Sequence, residues 1–174
     1  SIGLPEFGTP FTRQMLVDTQ PKQFDTLIRL SGFSHGTDVW AGNIHDLIVN
    51  GVASVNETIG CRDDIMLYLI SVGIEPSLAF KTMEAVRKGK VKKSCEFPGD
   101  AEQQMRDRGV PEWYIESARK IAYLFPKAHA VAYVMMAFRI AWFKVHEPLA
   151  FYSAYFYRRS QKGGFDIDMM SGGT

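Results

Sequence analysis

The sequence predicts an all-α fold with little or no sheet. Apolar side chains recur three and four residues apart in one segment after another. Most segments are bounded by capping residues, prolines or glycines. No convincing run alternates apolar with polar residues over the length of a strand.

Thr9 and Pro10 read as a cap with proline in the first turn, leading into Phe11, Met15 and Leu16. Pro21 opens a second segment, in which Phe24, Leu27, Ile28 and Leu30 form an apolar stripe. Residues 31–38 hold two glycines and several hydroxyls, so a structured loop is expected to break that helix. A short helix over 43–49 stops at Asn50-Gly51, and Ser54-Val55-Asn56-Glu57 has the form of a capping box. Residues 63–72 carry Ile65, Leu69 and Val72 at helical spacing and stop at Gly73. Glu75-Pro76-Ser77 begins the next helix, with Leu78, Met83 and Val86 along it. That helix runs into Arg87-Lys88-Gly89-Lys90-Val91-Lys92-Lys93.

Residues 94–100, with Phe97-Pro98-Gly99, suit a connector, and mobility is expected over about 92–100. Two helices follow, over 101–108 and 111–124, the second with Pro111 near its first position. Pro126 restarts the chain as a long apolar helix over 127–146. Glu147-Pro148 punctuates it before an aromatic helix over 149–157. The organisation expected is one helical domain over 1–160 and a Gly-rich tail or linker over 161–174.

Composition excludes several classes. At 174 residues the chain can bury a core, and twelve Phe, seven Tyr and three Trp are more apolar bulk than a disordered chain carries. Twenty Lys and Arg against nineteen Asp and Glu leave a net charge of +1, which excludes a uniformly basic surface but not a local patch. Cys61 and Cys95 form neither a short-spaced metal pair nor a disulfide framework, so a reducing, cytoplasmic setting is expected. The first ten residues lack the apolar core of a signal peptide. The most apolar run, 128–143, reads as too short for a bilayer and is interrupted by His129 and Arg139, so no membrane partner is expected.

The strongest electrostatic feature is five cations within residues 87–93. Such a cluster suits a triphosphate or a nucleic-acid backbone, and Gly89 would let backbone approach a ligand. A solvated helix terminus has the same composition. Arg62, followed by Asp63 and Asp64, fits either a phosphate-binding arginine or a surface ion pair; a metal site there lacks a third ligand. His129 and Tyr133, four apart on one helix face, could meet a base and phosphate or simply pack. Tyr123 and Phe125 could stack on a base or pack. Asp166 and Asp168 imitate a paired-carboxylate metal motif, yet no rigid element would aim them.

Read together, these segments resemble one family. Gly3-Leu4-Pro5-Glu6-Phe7-Gly8-Thr9, Gly32-Phe33-Ser34-His35-Gly36-Thr37-Asp38-Val39-Trp40 and Gly60-Cys61-Arg62-Asp63-Asp64-Ile65-Met66 are similar to the PolC branch of the bacterial DNA polymerase III alpha subunits. So are Glu75-Pro76-Ser77-Leu78-Ala79-Phe80-Lys81, Val86-Arg87-Lys88-Gly89-Lys90, Pro111-Glu112-Trp113-Tyr114-Ile115 and Phe125-Pro126-Lys127-Ala128-His129-Ala130-Val131-Ala132-Tyr133. The similarity runs from Ile2 to about Met170. It departs at Val91 to Gly99, which differ from the family pattern and look longer, leaving open which of Lys90, Lys92 and Lys93 faces a ligand.

The resemblance implies a fingers region of a longer replicative polymerase, with dNTP and primer-template DNA as partners beside the palm and other domains of the same enzyme. It implies that Mg²⁺ is held by palm carboxylates outside this chain, that the sliding clamp is reached through regions absent here, and that the chain alone does not polymerise. It assigns Arg62, Arg87, Lys88, Lys90 and His129 to the triphosphate, and Ser34, His35, Thr37 and Tyr123 to the base and sugar side. No residue of this chain is expected to be catalytic. The competing reading is a helical protein-interaction module presenting Phe151, Tyr152, Tyr155 and Phe156. A nonspecific DNA-binding domain is disfavoured by the near-zero net charge.

Overall fold

Helices make up nearly all regular structure in the computed structural model, which describes residues 1–161. They are α1 (Pro10–Thr19), α2 (Phe24–His35), α3 (His45–Val49), α4 (Arg62–Ser71), α5 (Pro76–Arg87), α6 (Lys90–Ser94), α7 (Ala101–Asp107), α8 (Glu112–Lys120), α9 (Lys127–His146) and α10 (Pro148–Ser160). A π-turn (Trp40–Ile44) and a 3₁₀ turn (Val55–Glu57) join them. The only β pairing among the described residues is one antiparallel bridge, Thr37 to Tyr123. The expected all-α class is borne out. The Gly-rich tail and its Asp166 and Asp168 lie outside the described residues, except for Gln161.

The chain forms two compact units, one from residues 18–130 and one from residues 1–17 with the chain from 131 onward. The larger unit is built around Leu30, Phe33, Ile44, Ile59, Ile65, Leu69, Met105, Ile115, Ile121 and Leu124, all essentially fully buried. α4 packs along α5. Local chemistry explains the starts and stops. Glu75 caps α5 by accepting the N–H groups of Ser77 and Leu78 at 3.0 and 3.1 Å, with Pro76 in the first turn. Ser54 donates its N–H to Glu57 Oε2 at 2.8 Å, the acidic half of the expected capping box. Asn50 ends α3, and Gly51 and Gly73 take the left-handed φ that terminates a helix.

Four expectations are corrected. Helix α2 does not break at residue 31 but continues to His35. Gly32 is there because α2 presses on the Gly60 backbone and the Cys61 sulfur, not because the chain turns. The stretch 87–93 is not a single helix end: α5 stops at Arg87, Gly89 turns at φ +65°, and α6 begins at Lys90. Helix α8 stops at Lys120, four residues early, because residues 122–125 spend their backbone bonds on other elements. Phe151, Tyr152, Tyr155 and Phe156 of α10 are not a free face. Phe151 is buried with Ile2, and Tyr152, Tyr155 and Phe156 pack partly buried against that pair.

The buried Asn43 of the π-turn donates to the carbonyls of Asp38 and Ser117, both at 3.1 Å, and accepts the Ser117 hydroxyl at 2.7 Å. It thereby fastens the 37–44 region to α8. Within residues 94–100, Phe97 is buried beneath the Arg119 guanidinium, 5.0 Å from the ring centroid.

In the smaller unit, Lys144 Nζ donates to the Ile2 carbonyl at 2.6 Å and lies over the rings of Phe151 and Tyr152. Desolvation lowers its pKa. Helix α9 has the bounds read from the sequence, Lys127–His146, and so extends beyond the most apolar run within it, 128–143. At 20 residues and a mean hydropathy of 1.2, it is the one helix among the described residues long and apolar enough to cross a bilayer by length and composition alone.

Candidate functional site

One short extended segment, residues 121–126, organises the candidate residues. It follows α8, precedes α9, and is anchored by the burial of Ile121 and Leu124. With no helix to satisfy them, its backbone groups bond the ends of other elements. Thr37 N–H donates to the Tyr123 carbonyl at 3.0 Å, and the Thr37 carbonyl accepts from Ala122 at 3.0 Å and Tyr123 at 3.3 Å. Leu124 N–H donates to the Arg87 carbonyl at 3.3 Å, at the end of α5. Arg62 N–H, at the start of α4, donates to the Phe125 carbonyl at 3.2 Å. Consecutive residues of the segment therefore hold the ends of α4 and α5.

Side chains gather along the same line. The His35 ring stacks on Phe125, with centroids 4.9 Å apart, and the His129 ring meets Phe125 edge-on at the same distance. Tyr123 is 42% exposed, and its phenol is close enough to Arg87 to contribute to that residue's electrostatics. Gly89 packs against Ala122: a Cβ built on it would stand 2.6 Å from the Ala122 carbonyl oxygen. The sequence reading gave this glycine to a ligand's approach; the close neighbour is the protein's own backbone.

The cations are partly engaged. Arg87 donates from Nε and Nη2 to the two oxygens of Glu84, and Lys88 Nζ reaches Glu84 Oε2 at 2.7 Å. These bonds hold the Glu84 carboxyl down at about 2 and raise the Arg87 pKa. Two cations on one carboxylate leave a local excess of one positive charge. Arg62 Nε lies 3.9 Å from Asp63, a loose contact at a half-exposed position. Lys90 is exposed at the first position of α6. Lys92 is paired with Asp38, so its ammonium is directed at that carboxylate.

Thr37, Arg62, Arg87, His35 and His129 thus all touch residues 121–125, to which Tyr123 itself belongs. Lys88 joins through Glu84, and Lys90 follows the glycine that packs on Ala122. Ser34 stands apart, since its hydroxyl donates to the Ser31 carbonyl at 3.0 Å within α2. Sequence reasoning missed Glu84, although its spacing of three and four residues from Arg87 and Lys88 on a helix was a usable signal. It also missed the partners of the two aspartates. Asp63 accepts the Lys127 N–H at 2.9 Å, while Asp64 Oδ2 accepts from Gly60 at 3.1 Å and Cys61 at 2.9 Å. Among the described residues no three His, Cys, Asp or Glu side chains are placed to share a metal ion.

Residues 1–109 match the family model of the bacterial DNA polymerase III alpha subunit finger domain. The chain belongs to this family. It is 56% identical over 174 residues to the PolC-type DNA polymerase III of Bacillus subtilis and, over the same length, to that of Bacillus cereus. It is 62% identical over 156 residues, 90% of the chain, to the PolC-type DNA polymerase III of Thermotoga maritima. The chain spans 12% of the length of the Bacillus relatives and 11% of the Thermotoga one. Membership in the finger-domain family agrees with the helical architecture and with the similarity read from the sequence.

Proposed function

We propose that this fingers region binds the triphosphate of an incoming dNTP, and the primer-template beside it, in a longer replicative DNA polymerase. The observation that carries the proposal is the 121–126 segment, which brings cations and aromatic rings from α2, α4, α5 and α9 to one place. Phosphoryl transfer asks little covalent chemistry of a protein and much positioning and charge stabilisation. Arg62, Arg87, Lys88 and Lys90 supply cations for the polyphosphate. His129 supplies an imidazole, and Tyr123 an exposed ring. His35 and Thr37 line the base and sugar side, with Ser34 immediately before His35.

Glu84 has a specific part in this reading. It holds Arg87 and Lys88 in one geometry before a nucleotide arrives, which lowers the ordering cost of binding. The intact enzyme would join a primer 3′-hydroxyl to the α-phosphate of the dNTP and release pyrophosphate. Mg²⁺, with the carboxylates that hold it, belongs to parts of that enzyme outside these residues, as does any contact with the sliding clamp. We treat residues 1–160 as one functional fingers region, inactive alone and working in the cytoplasm. Phe151, Tyr152, Tyr155 and Phe156, the residues that suggested a pure protein-interaction module, are instead buried or partly buried within the smaller unit.

Arg87→Glu in the intact polymerase tests the proposal by reversing a cation of the cluster. An increase of about tenfold or more in the dNTP KM, or a comparable loss of kcat, is expected for a charge contact that strengthens in the transition state. Wild-type steady-state kinetics would reject the triphosphate role.

A further inference from the structure

Phe125 sits where three helices deliver candidate residues. Its ring stacks on His35 at the end of α2, with planes 24° apart, and the His129 ring of α9 meets it at 89°. Its carbonyl accepts the N–H of Arg62 at the start of α4, at 3.2 Å. Stacked and edge-on arrangements are the two favoured geometries of ring pairs. A single ring with one imidazole stacked on it and another edge-on restricts the rotation of both.

We propose that Phe125 is a positioning residue of the nucleotide site, acting through His35 and His129. The inference rests on the reading above that these histidines face the nucleotide. A phenyl ring neither transfers protons nor neutralises charge, and with His35 stacked on it and His129 edge-on the ring acts through what it holds rather than as a stacking plate for a base. Misplacement of a contacting group by a fraction of a bond length is enough to weaken binding and reaction. Phe125 is half-buried, so Leu at this position keeps an apolar, though smaller, side chain in the segment while removing both ring contacts. Tyr keeps the ring.

The experiment is steady-state kinetics of the intact polymerase carrying Phe125→Leu, Phe125→Tyr, His129→Ala and the Phe125→Leu, His129→Ala pair. Phe125→Leu should raise the dNTP KM about tenfold with kcat changed by less than about threefold, the mark of a lost binding geometry. Phe125→Tyr should stay within about twofold of wild type, and adding Phe125→Leu to His129→Ala should cost clearly less than Phe125→Leu costs in the wild type, because only the share acting through His35 is left to lose. Equal impairment by Leu and Tyr would reduce Phe125 to packing and overturn the inference. So would wild-type kinetics for Phe125→Leu, or losses that multiply in the pair. Arg87→Glu, run alongside, separates the two levels. If it raises the KM while Phe125→Leu does not, only the positioning role falls; if it too has no effect, the nucleotide reading itself falls.

Discussion

Asp63 and Lys127 are 64 positions apart in the chain and joined by a hydrogen bond of 2.9 Å, from the Lys127 backbone N–H to Asp63 Oδ2. The residue before α9 is Pro126, which has no side-chain acceptor for the orphan N–H groups of the first turn. Asp63 does that work from the start of α4. Asp63→Ala should therefore cost about 1 kcal/mol, the usual value of a lost helix cap. Asp63→Asn should cost clearly less, because it keeps the acceptor. Urea midpoints of the two variants check this, and equal losses would show that the bond contributes nothing as a cap.

Gly42 and Gly89 share almost the same left-handed φ, +68° and +65°, yet a Cβ meets nothing within 4 Å at Gly42 and the Ala122 carbonyl at Gly89. Gly42→Ala should cost only the left-handed penalty, about 1–2 kcal/mol. Gly89→Ala should cost at least about 1 kcal/mol more, since overpacking against backbone is not relieved by a rotamer change. Chemical denaturation of the pair isolates the contact. Indistinguishable stabilities would mean that Gly89 does not need to lie against the 121–126 segment.

Glu84 predicts a pH dependence. Its folded pKa, about 2, lies below the ordinary glutamate value of 4.5, with the Arg87 hydrogen bonds as the largest cause. The contribution of the ionised carboxylate is complete above the unfolded value and is lost as pH falls from about 4.5 through about 2. The melting-temperature difference between wild type and Glu84→Gln should be constant above about pH 5 and close below it. In carbon NMR the Glu84 carboxyl should titrate near 2, and a midpoint at an ordinary glutamate value would show that the grip on Arg87 and Lys88 is absent.

The two thiols should differ sharply. Cys61 is buried, and burial with Asp64 and Asp63 nearby pushes its pKa up to about 12, whereas Cys95 is exposed. The thiolate is the reactive form, so a disulfide reagent at pH 8 should titrate one cysteine in the native chain and two in denaturant. Cys95→Ser should abolish the native reaction. Rapid native modification of Cys61 would contradict its burial beneath α2.

What the sequence determined by itself is what neighbours in the chain can enforce. Glu75-Pro76-Ser77 could only begin a helix, and Asn50-Gly51 and Gly73 could only end one, because each acts through bonds and φ angles within a few residues. The runs of apolar residues were likewise enough to place most of the helices, and the family motifs were enough to point to the polymerase fingers. Gly32 shows where that reasoning stops. In a glycine- and serine-rich stretch it looks like a breaker, yet it lies inside α2 because a Cβ there would fall 2.2 Å from the carbonyl oxygen of Gly60. Residues 121–124 show the same limit in reverse: their helical pattern yields to Thr37 and Arg87, partners no local window contains. Tertiary structure alone decided that His35 and Arg62 would join His129 at Phe125. Hydrogen bonds and ring contacts are short-ranged in space and indifferent to separation along the chain, so the site exists only once the helix ends have been brought to one segment.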